Sequence, residues 1–326
     1  MKDNHQKSPM ISFIVPCYNL PVNLLTQCLD SILALPLDES QRELIVVDDG
    51  SETDILGQME AYRDKMLYIR QANQGLGGAR NTGLNMSSGE YVQFIDGDDL
   101  LIKDAYAHCI DLLRADEHLD MVMFEATTHA TDTDEYVDDE AESGVEFMRH
   151  NNLHGSACSY VFRKTMAGQL RFTSRILHED EEFTPQLVLR ADKVMHTSAR
   201  AYFYRQREQS IMTDGSSDHI RQRLDDKELV IKKLNVIADR MPAADRQAMQ
   251  RRVHQLTMDY IYNIITLDGS TQELETRIER LKAEGLFPLP DKRYTKKYTW
   301  FRRMTMNKLS RRMLTMALRK QKRNGK

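Results

Sequence analysis

Glu90-Tyr91-Val92-Gln93-Phe94-Ile95-Asp96-Gly97-Asp98-Asp99-Leu100 is the stretch from which the rest of the chain is read. Tyr91 to Ile95 is a short β-branched and aromatic run, the composition of a buried strand. It ends in three carboxylates within four residues, Asp96, Asp98 and Asp99, with Gly97 among them. Negative charges at the end of a buried strand repel one another and cost stability unless a cation or donors neutralise them. Oxygen-only ligands of this kind suit Mg²⁺ or Mn²⁺, which bind through one or two carboxylates together with substrate phosphates. The same letters describe an acidic turn in which Asp98 or Asp99 caps a helix from Lys103 onward. The neighbouring elements have to separate the two readings.

Towards the N-terminus, residues 10–15 read as a strand, broken by Pro16 and running through Cys17, Tyr18 and Asn19 into a loop. Leu24, Leu25, Cys28, Leu29, Ile32 and Leu33 follow helical spacing up to Pro36. Residues 44–47 form a continuous apolar run, as in a strand covered on both faces. That run ends in Asp48-Asp49-Gly50-Ser51, a second acidic strand end. A helix over 55–63, a strand over 66–70 and a helix over 79–86 lead back to the central strand. This short alternation predicts an α/β fold, a mostly parallel sheet with helices on both faces. Ligands of such sheets bind beyond the carboxyl ends of the strands, where both acidic clusters would lie.

Asn73-Gln74-Gly75-Leu76-Gly77-Gly78-Ala79-Arg80-Asn81-Thr82-Gly83 admits two readings. It is a glycine-rich helix start, or a close backbone approach to a phosphate with Arg80 supplying charge one turn in. It is a poor dinucleotide fingerprint, because Arg80 stands where the third glycine should be and the turn follows the third strand.

Beyond the central strand the pattern predicts a helix over 105–113, a strand over 120–125, a solvated acidic loop over 129–143 and a strand over 156–163. Glu179, Asp180, Glu181 and Glu182 then sit at a helix start, where the dipole alone favours acids. Residues 193–196 and 201–204 are the last strands expected. From His219 the chain reads as helices over 220–240, 244–267 and 272–284, with Gly269 and Gly285 as stops.

These motifs together resemble the family-2 inverting glycosyltransferases of the GT-A fold, bacterial surface-polysaccharide type. The resemblance rests on Ile14-Val15-Pro16-Cys17-Tyr18-Asn19, Val46-Val47-Asp48-Asp49-Gly50-Ser51, Asn73 to Gly83, Gly89 to Asp99 and Glu179-Asp180, and spans residues 10–211. It implies a Rossmann-like GT-A domain; the α-helical region that follows is read from its own spacing and carries no part of the resemblance. By that resemblance Pro16, Tyr18 and Asn19 shape a nucleotide pocket, and Asp49, with Asp48 beside it, accepts from the uracil ring. Arg80 meets the base or diphosphate, with Gly75 and Gly97 in the donor-binding turns. Asp96 lies by the ribose and metal, Asp98 coordinates Mn²⁺ or Mg²⁺, and Asp99 is a further ligand or stands behind the first. Arg205 and Ser210 close over the donor phosphates. Asp180 resembles the general base, with Glu179 as the fallback, and His178 is hydrogen-bonded beside it. The donor implied is a UDP-sugar, and the acceptor a hydroxyl of a glycan or lipid-linked carrier. A sugar-phosphate nucleotidyltransferase and a non-catalytic sugar-nucleotide-binding scaffold are the alternatives, and nucleotide release products separate them.

The 326 residues are 41% hydrophobic and 29% charged, which supports a large soluble core. No run approaches a membrane span, and Met1 to Pro9 lacks the apolar region of a signal peptide. Residues 1–9 are expected to be disordered. Four widely spaced cysteines form no metal or disulfide pattern and read as buried thiols in the cytoplasm. Residues 292–326 carry fourteen Lys/Arg and no Asp/Glu, so with a whole-chain charge of −4 the first 291 residues hold −18. That acidic body argues against a nucleic-acid partner. The expected layout is a catalytic domain over 10–211, a helical region over 212–291 and a basic amphipathic tail over 292–326. On a single helical projection Met306, Leu309, Met313, Met316 and Ala317 share one face, opposite Lys308, Arg311, Arg312 and Arg319. Leu314 and Leu318 fall off that stripe. With Trp300 and Phe301 nearby, the tail reads as a helix on an anionic membrane surface, the alternative being a helix packed on the body.

Overall fold

In the computed structural model, which describes residues 8–129, 135–206 and 215–324, the apolar runs that open the chain become parallel strands. They are β1 (Ile11–Cys17), β2 (Arg42–Asp48), β3 (Leu67–Arg70) and β4 (Tyr91–Phe94). β1 pairs with β2 and with β4, and β2 pairs with β3, all parallel. Cys17 stands opposite Asp48 and Ile14 opposite Phe94, so the carboxyl ends of these strands share one edge. Every residue of β1 and of β4 is buried, as a sheet covered on both faces requires. The connections are α1 (Val22–Leu33) and α2 (Gly75–Met86).

Next come β5 (Leu100–Leu101), α3 (Lys103–Ala115), β6 (Met121–Met123), β7 (Ala126–Thr127), α4 (Gly144–His150), β8 (Tyr160–Arg163), α5 (Glu179–Val188), β9 (Val194–His196) and β10 (Tyr202–Phe203). The seven-stranded sheet runs β3-β2-β1-β4-β8-β6-β9, and only β8 is antiparallel to its neighbours. A small second sheet, β5-β10-β7, sits past the end of β4. The chain divides into two compact units, Met1–Phe147 with Gly155–Arg207 and Met148–His154 with Glu208–Lys326.

Two local expectations are corrected. Residues 55–63 form no α-helix; short 3₁₀ turns, Leu56–Gln58 and Glu60–Lys65, take their place. The Asp54 carboxylate accepts from Gly57 N at 3.0 Å, giving the backbone a local turn that competes with the helix. Nor are the described residues of the acidic segment simply solvated. Asp138 and Glu142 bridge to Thr197 and Val194, Asp138 meets His108 Nε2 at 2.8 Å, and Asp139 meets His196 Nδ1 at 3.0 Å.

The second unit is helical: α6 (Ser217–Asp239), α7 (Ala243–Asn263) continued by a π turn to Asp268, α8 (Thr271–Ala283), α9 (Lys296–Thr305) and α10 (Lys308–Asn324). Leu224, Ile231, Val253, Leu256 and Ile278 fill its core. Arg277, buried among them, pairs with Glu273 at 2.6 Å and Asp225 at 2.8 Å, and donates to Tyr260 Oη at 2.9 Å. A buried cation left without those partners would be strongly destabilising. The basic tail is two helices broken at Met306–Asn307, and Arg311 lies on the packed face, where it pairs with Glu275 at 2.5 Å.

Gly83 sets how closely α2 lies on the sheet, because a Cβ there would run into Ile14 Cγ2. Helix propensity alone favours alanine over glycine by about 1 kcal/mol, whereas overpacking costs about 1–3 kcal/mol. Gly83→Ala is therefore expected to lower the urea midpoint; a raised midpoint would show that the close packing is not limiting.

Candidate active site

Both acidic strand ends lie at the carboxyl edge of the sheet, but their carboxylates are used differently. Asp48 accepts from Ser51 N at 2.8 Å and Tyr68 Oη at 2.7 Å, with Arg70 Nε at 3.4 Å. Asp49 accepts from Gln71 Nε2 at 2.7 Å and Gln74 N at 2.9 Å through Oδ1, and from Gly75 N at 2.8 Å through Oδ2. Both are buried. Asp49 thus holds the start of α2, and Gly75 can follow because its φ of +79° is open to glycine. Beside them Asn19 takes a left-handed φ of +47°, donates its N–H to Ser51 Oγ at 2.9 Å and accepts from Glu52 N at 2.8 Å. Tyr18 is exposed next to it, and Pro16 is buried within β1.

The second cluster is built across the sheet. Arg80, only 2% exposed, donates from Nη1 to Glu179 Oε1 at 2.7 Å and from Nη2 to Asp96 Oδ1 at 2.8 Å. Its guanidinium lies 5.5 Å from the centre of the Phe172 ring, which stacks on Phe183 at 3.9 Å. Asn81, the next residue of α2, binds both the N–H and the carbonyl of Phe172, at 2.8 and 2.9 Å. α2 therefore clamps the segment that leads into α5. His178, the residue before α5, takes a left-handed φ of +67°, and its ring stands 3.9 Å from Glu181. Asp180 accepts from Glu181 N through Oδ1 at 2.8 Å.

Asp99 is buried, accepts from Tyr202 Oη at 2.7 Å and from Arg205 N at 2.8 Å, and so anchors the chain just after β10. Neither Asp98 nor Asp99 caps α3, whose preceding residue Ile102 offers no side-chain cap. Arg205 reaches back to the Asp98 carbonyl and to Gln27 Oε1, both at 2.8 Å. Gly97 packs against Leu20 and the Pro16 carbonyl, so it brings two strand ends together. Ser210 lies outside the described residues.

Burial dominates the electrostatics. It pushes the Asp99 carboxyl up to about 7, with the Asp96 charge adding to the shift. It pushes Asp180 up to about 8, with the charges of Glu179 and Glu181 adding. Glu179 is raised by burial against the pull of Arg80. Asp96, Glu179 and Asp180 thus gather around the guanidinium of Arg80, with Asp98 and Asp99 on the turn that follows Asp96. Asp96 keeps Oδ2 without a hydrogen bond from the described residues, and its side chain is a third exposed. Asp96, Asp98 and Asp99 are not assembled into one ligand set: among the described residues no three acidic, imidazole or thiol side chains stand close enough together to hold a metal ion. The outward oxygen of Asp96 is of the hard type that suits Mg²⁺ or Mn²⁺.

The structure thus brings together Arg80, Asp96, Glu179 and Asp180, with Asp98 on the intervening turn, and sets Asp48 and Asp49 to hold backbone. Tyr202 is the residue the motif reading misses. Its hydroxyl donates to Asp99 and accepts from Asp96 N at 3.2 Å. The only local signal was its place in an aromatic strand.

The family model described as "Glycosyl transferase family 2" matches residues 12–211. EpsH of Bacillus subtilis (strain 168) is 30% identical over 217 residues, 61% of this chain and 61% of that protein. GlyA, a glycosyltransferase of Streptococcus pneumoniae serotype 4, is 32% identical over 223 residues, 62% of this chain and 31% of its own length. The match therefore spans less than two thirds of either relative. Among solved structures, residues 1–349 of S. aureus TarS superpose with a TM-score of 0.59 at 19% identity, covering 85% of this chain and 88% of that one. A form holding UDP-GlcNAc gives 0.55. The Pyrobaculum calidifontis mannosyltransferase PcManGT, solved with GDP-Man and Mn²⁺, gives 0.55 at 15% identity over 95% of this chain. At these identities the likeness is one of fold, the GT-A architecture.

Removing the central cation leaves two carboxylates facing each other. Arg80→Ala is expected to cost about 3–5 kcal/mol in urea unfolding at neutral pH. Acids with raised native pKa values lose stability as pH rises through those values. The deficit of the variant should therefore shrink towards about pH 5, and a pH-independent deficit would count against the charge explanation.

Proposed function

The chain belongs to glycosyl transferase family 2, and from that premise we propose that it transfers a sugar from a nucleotide-sugar donor, a UDP-sugar, to a hydroxyl of a glycan or lipid-linked acceptor, with inversion at the anomeric carbon. The observation that carries this reading is the Asp96–Arg80–Glu179 bridge beside Asp180, at the carboxyl edge of the parallel strands. The sugar nucleotides held by the TarS and PcManGT structures support the donor class, and the Mn²⁺ of the latter supports a divalent ion. The product would enter polysaccharide or glycolipid synthesis.

Asp180 is the base. Glu179 is held by Arg80, whereas Asp180 Oδ2 takes no hydrogen bond from the described residues. Asp180 accepts the proton of the acceptor hydroxyl as that oxygen bonds to the anomeric carbon. The bond from that carbon to the diphosphate breaks in the same displacement, so no enzyme nucleophile is needed. Asp96 and Asp98 would hold Mn²⁺ or Mg²⁺, which when bound neutralises charge on the leaving diphosphate. Asp99, Tyr202 and Arg205 fix the turn that carries Asp98, and Tyr18 and Asn19 border the nucleotide pocket. No helix of the described residues is long and apolar enough to cross a membrane. The reading places the protein in the cytoplasm, peripheral to the inner face of the cell membrane, through residues 292–326.

Two variants should fail differently. Asp98→Asn is expected to weaken Mn²⁺-dependent UDP binding, followed by calorimetry. Asp180→Asn should bind UDP normally while transfer from a UDP-sugar panel falls by roughly 10²–10⁴-fold. Equal loss of UDP binding in both would undo the assignment, and release of pyrophosphate from a nucleoside triphosphate would favour the nucleotidyltransferase alternative.

The free protein should also show an acid limb in kcat/KM. Asp180 must be ionised to act, so activity rises as pH climbs through about 8. The residual activity of Asp180→Asn should lack that limb; an unchanged profile would assign the limb to another group.

A further inference from the structure

From residue 300 to residue 316 the chain exposes five large apolar side chains, Trp300, Met306, Leu309, Met313 and Met316, against nine in all the other described residues. Leu309, Met313 and Met316 are 70%, 58% and 73% exposed. The helices that carry them are nonetheless packed. On α9, Tyr298, Phe301 and Thr305 are buried; on α10, Arg311, Leu314 and Thr315 are buried. Arg311 fastens α10 through Glu275, with 2.8 and 2.5 Å contacts, and through the Thr305 carbonyl at 2.8 Å. Leu314 thus belongs to the inner face, and the exposed stripe is a second, separate apolar face.

Residues 309, 313, 316 and 317 lie on one strip of α10, following helical spacing. Lys308, Arg312 and Arg319, all exposed, form a row along one side of that strip. Trp300 repeats the arrangement on α9, exposed between Lys296 one turn before and Arg303 one turn after. Residues 292–326 contain no acid of their own, and Glu275, which pairs with Arg311, is the acid that lies near Lys308. A solvated face would not need the apolar strip, and a nucleic-acid surface would take the cations alone. An apolar strip edged by cations, with an exposed tryptophan on the preceding helix, matches the boundary between headgroups and acyl chains of an anionic bilayer.

We propose that the outer face of α9 and α10 docks on an anionic lipid surface. Trp300, Leu309, Met313 and Met316 enter the headgroup–acyl boundary, and Lys308, Arg312 and Arg319 lie against lipid phosphates. This deepens the membrane contact of the function proposed above and rests on that reading only for the acceptor, since docking requires neither donor nor transfer. The inner face keeps the helices fixed to their unit, so the outer face is preformed and no ordering step precedes contact.

The test is co-sedimentation of the full chain with vesicles of mixed phosphatidylglycerol and phosphatidylcholine, and with vesicles of phosphatidylcholine alone. The comparison is Leu309→Ser/Met313→Ser/Met316→Ser, which alters only exposed positions. The full chain is expected to sediment with the anionic vesicles at low salt and to be released as salt rises. The triple variant should lose at least about tenfold in partitioning, with an unchanged unfolding midpoint and unchanged UDP binding. A full chain that stays in the supernatant, binds both vesicles equally, or binds as well after the triple substitution overturns the proposal. So does a lipid-free full chain that is a dimer by light scattering while the triple variant is a monomer, since the face then joins copies of the chain. Each of these outcomes is read apart from UDP binding, so a failed docking and a failed transferase reading are told apart.

Discussion

The interaction on which the first unit depends is the buried guanidinium of Arg80 between Asp96 and Glu179. It joins the end of β4 to the start of α5, positions 16 and 99 residues from Arg80 in the chain. Without it the carboxylates of Asp96 and of buried Glu179 would lose their shared cation, and α5 would have no reason to present Asp180 beside the strand ends. The bond is possible only because α2 lies close on β1, which the absence of a side chain at Gly83 allows. Asn81 then holds Phe172, and the Phe172–Phe183 stack holds α5. One turn of helix thereby sets both the packing and the charge of the site.

The two acidic strand ends show how the same residue type takes opposite roles. At Asp48 and Asp49, donors from Ser51, Tyr68, Gln71, Gln74 and Gly75 occupy the carboxylates, and the result is a rigid turn. At Asp96 the guanidinium occupies one oxygen only, and the other is left towards solvent. Asp99 falls on the structural side of this divide, tied to Tyr202 and Arg205. Holding Asp180 and Asp99 in low dielectric raises both, so the cluster does not carry its full negative charge.

The second unit follows the same logic with a different outcome. Arg277 is buried against Asp225 of α6 and Glu273 of its own helix, Arg311 is buried against Glu275 of α8, and each orders the packing around it. Pinning α10 by Arg311 and Leu314 leaves its other apolar strip on the surface. A helix with one apolar face would have buried it; a helix with two cannot bury both against one partner.

Local spacing alone determined much of this protein. The apolar runs of β1, β2 and β4, the helical repeats of α1 and α3, the glycine stops at Gly269 and Gly285, and the ordered motifs of the family were legible because each depends on residues a few positions apart. Only the tertiary structure decided which acids hold backbone and which face the cleft, because the donors to Asp49 and Asp99 come from residues 22 to 106 positions away. It also decided that β8 runs antiparallel between β4 and β6, that 3₁₀ turns replace the helix expected after β2, and that Tyr202 belongs to the site. In the tail, periodicity identified the exposed strip of α10 but placed Arg311 with the solvated cations. A helical projection orders side chains around one axis and carries no information on what the axis packs against, and here that partner is Glu275 of α8.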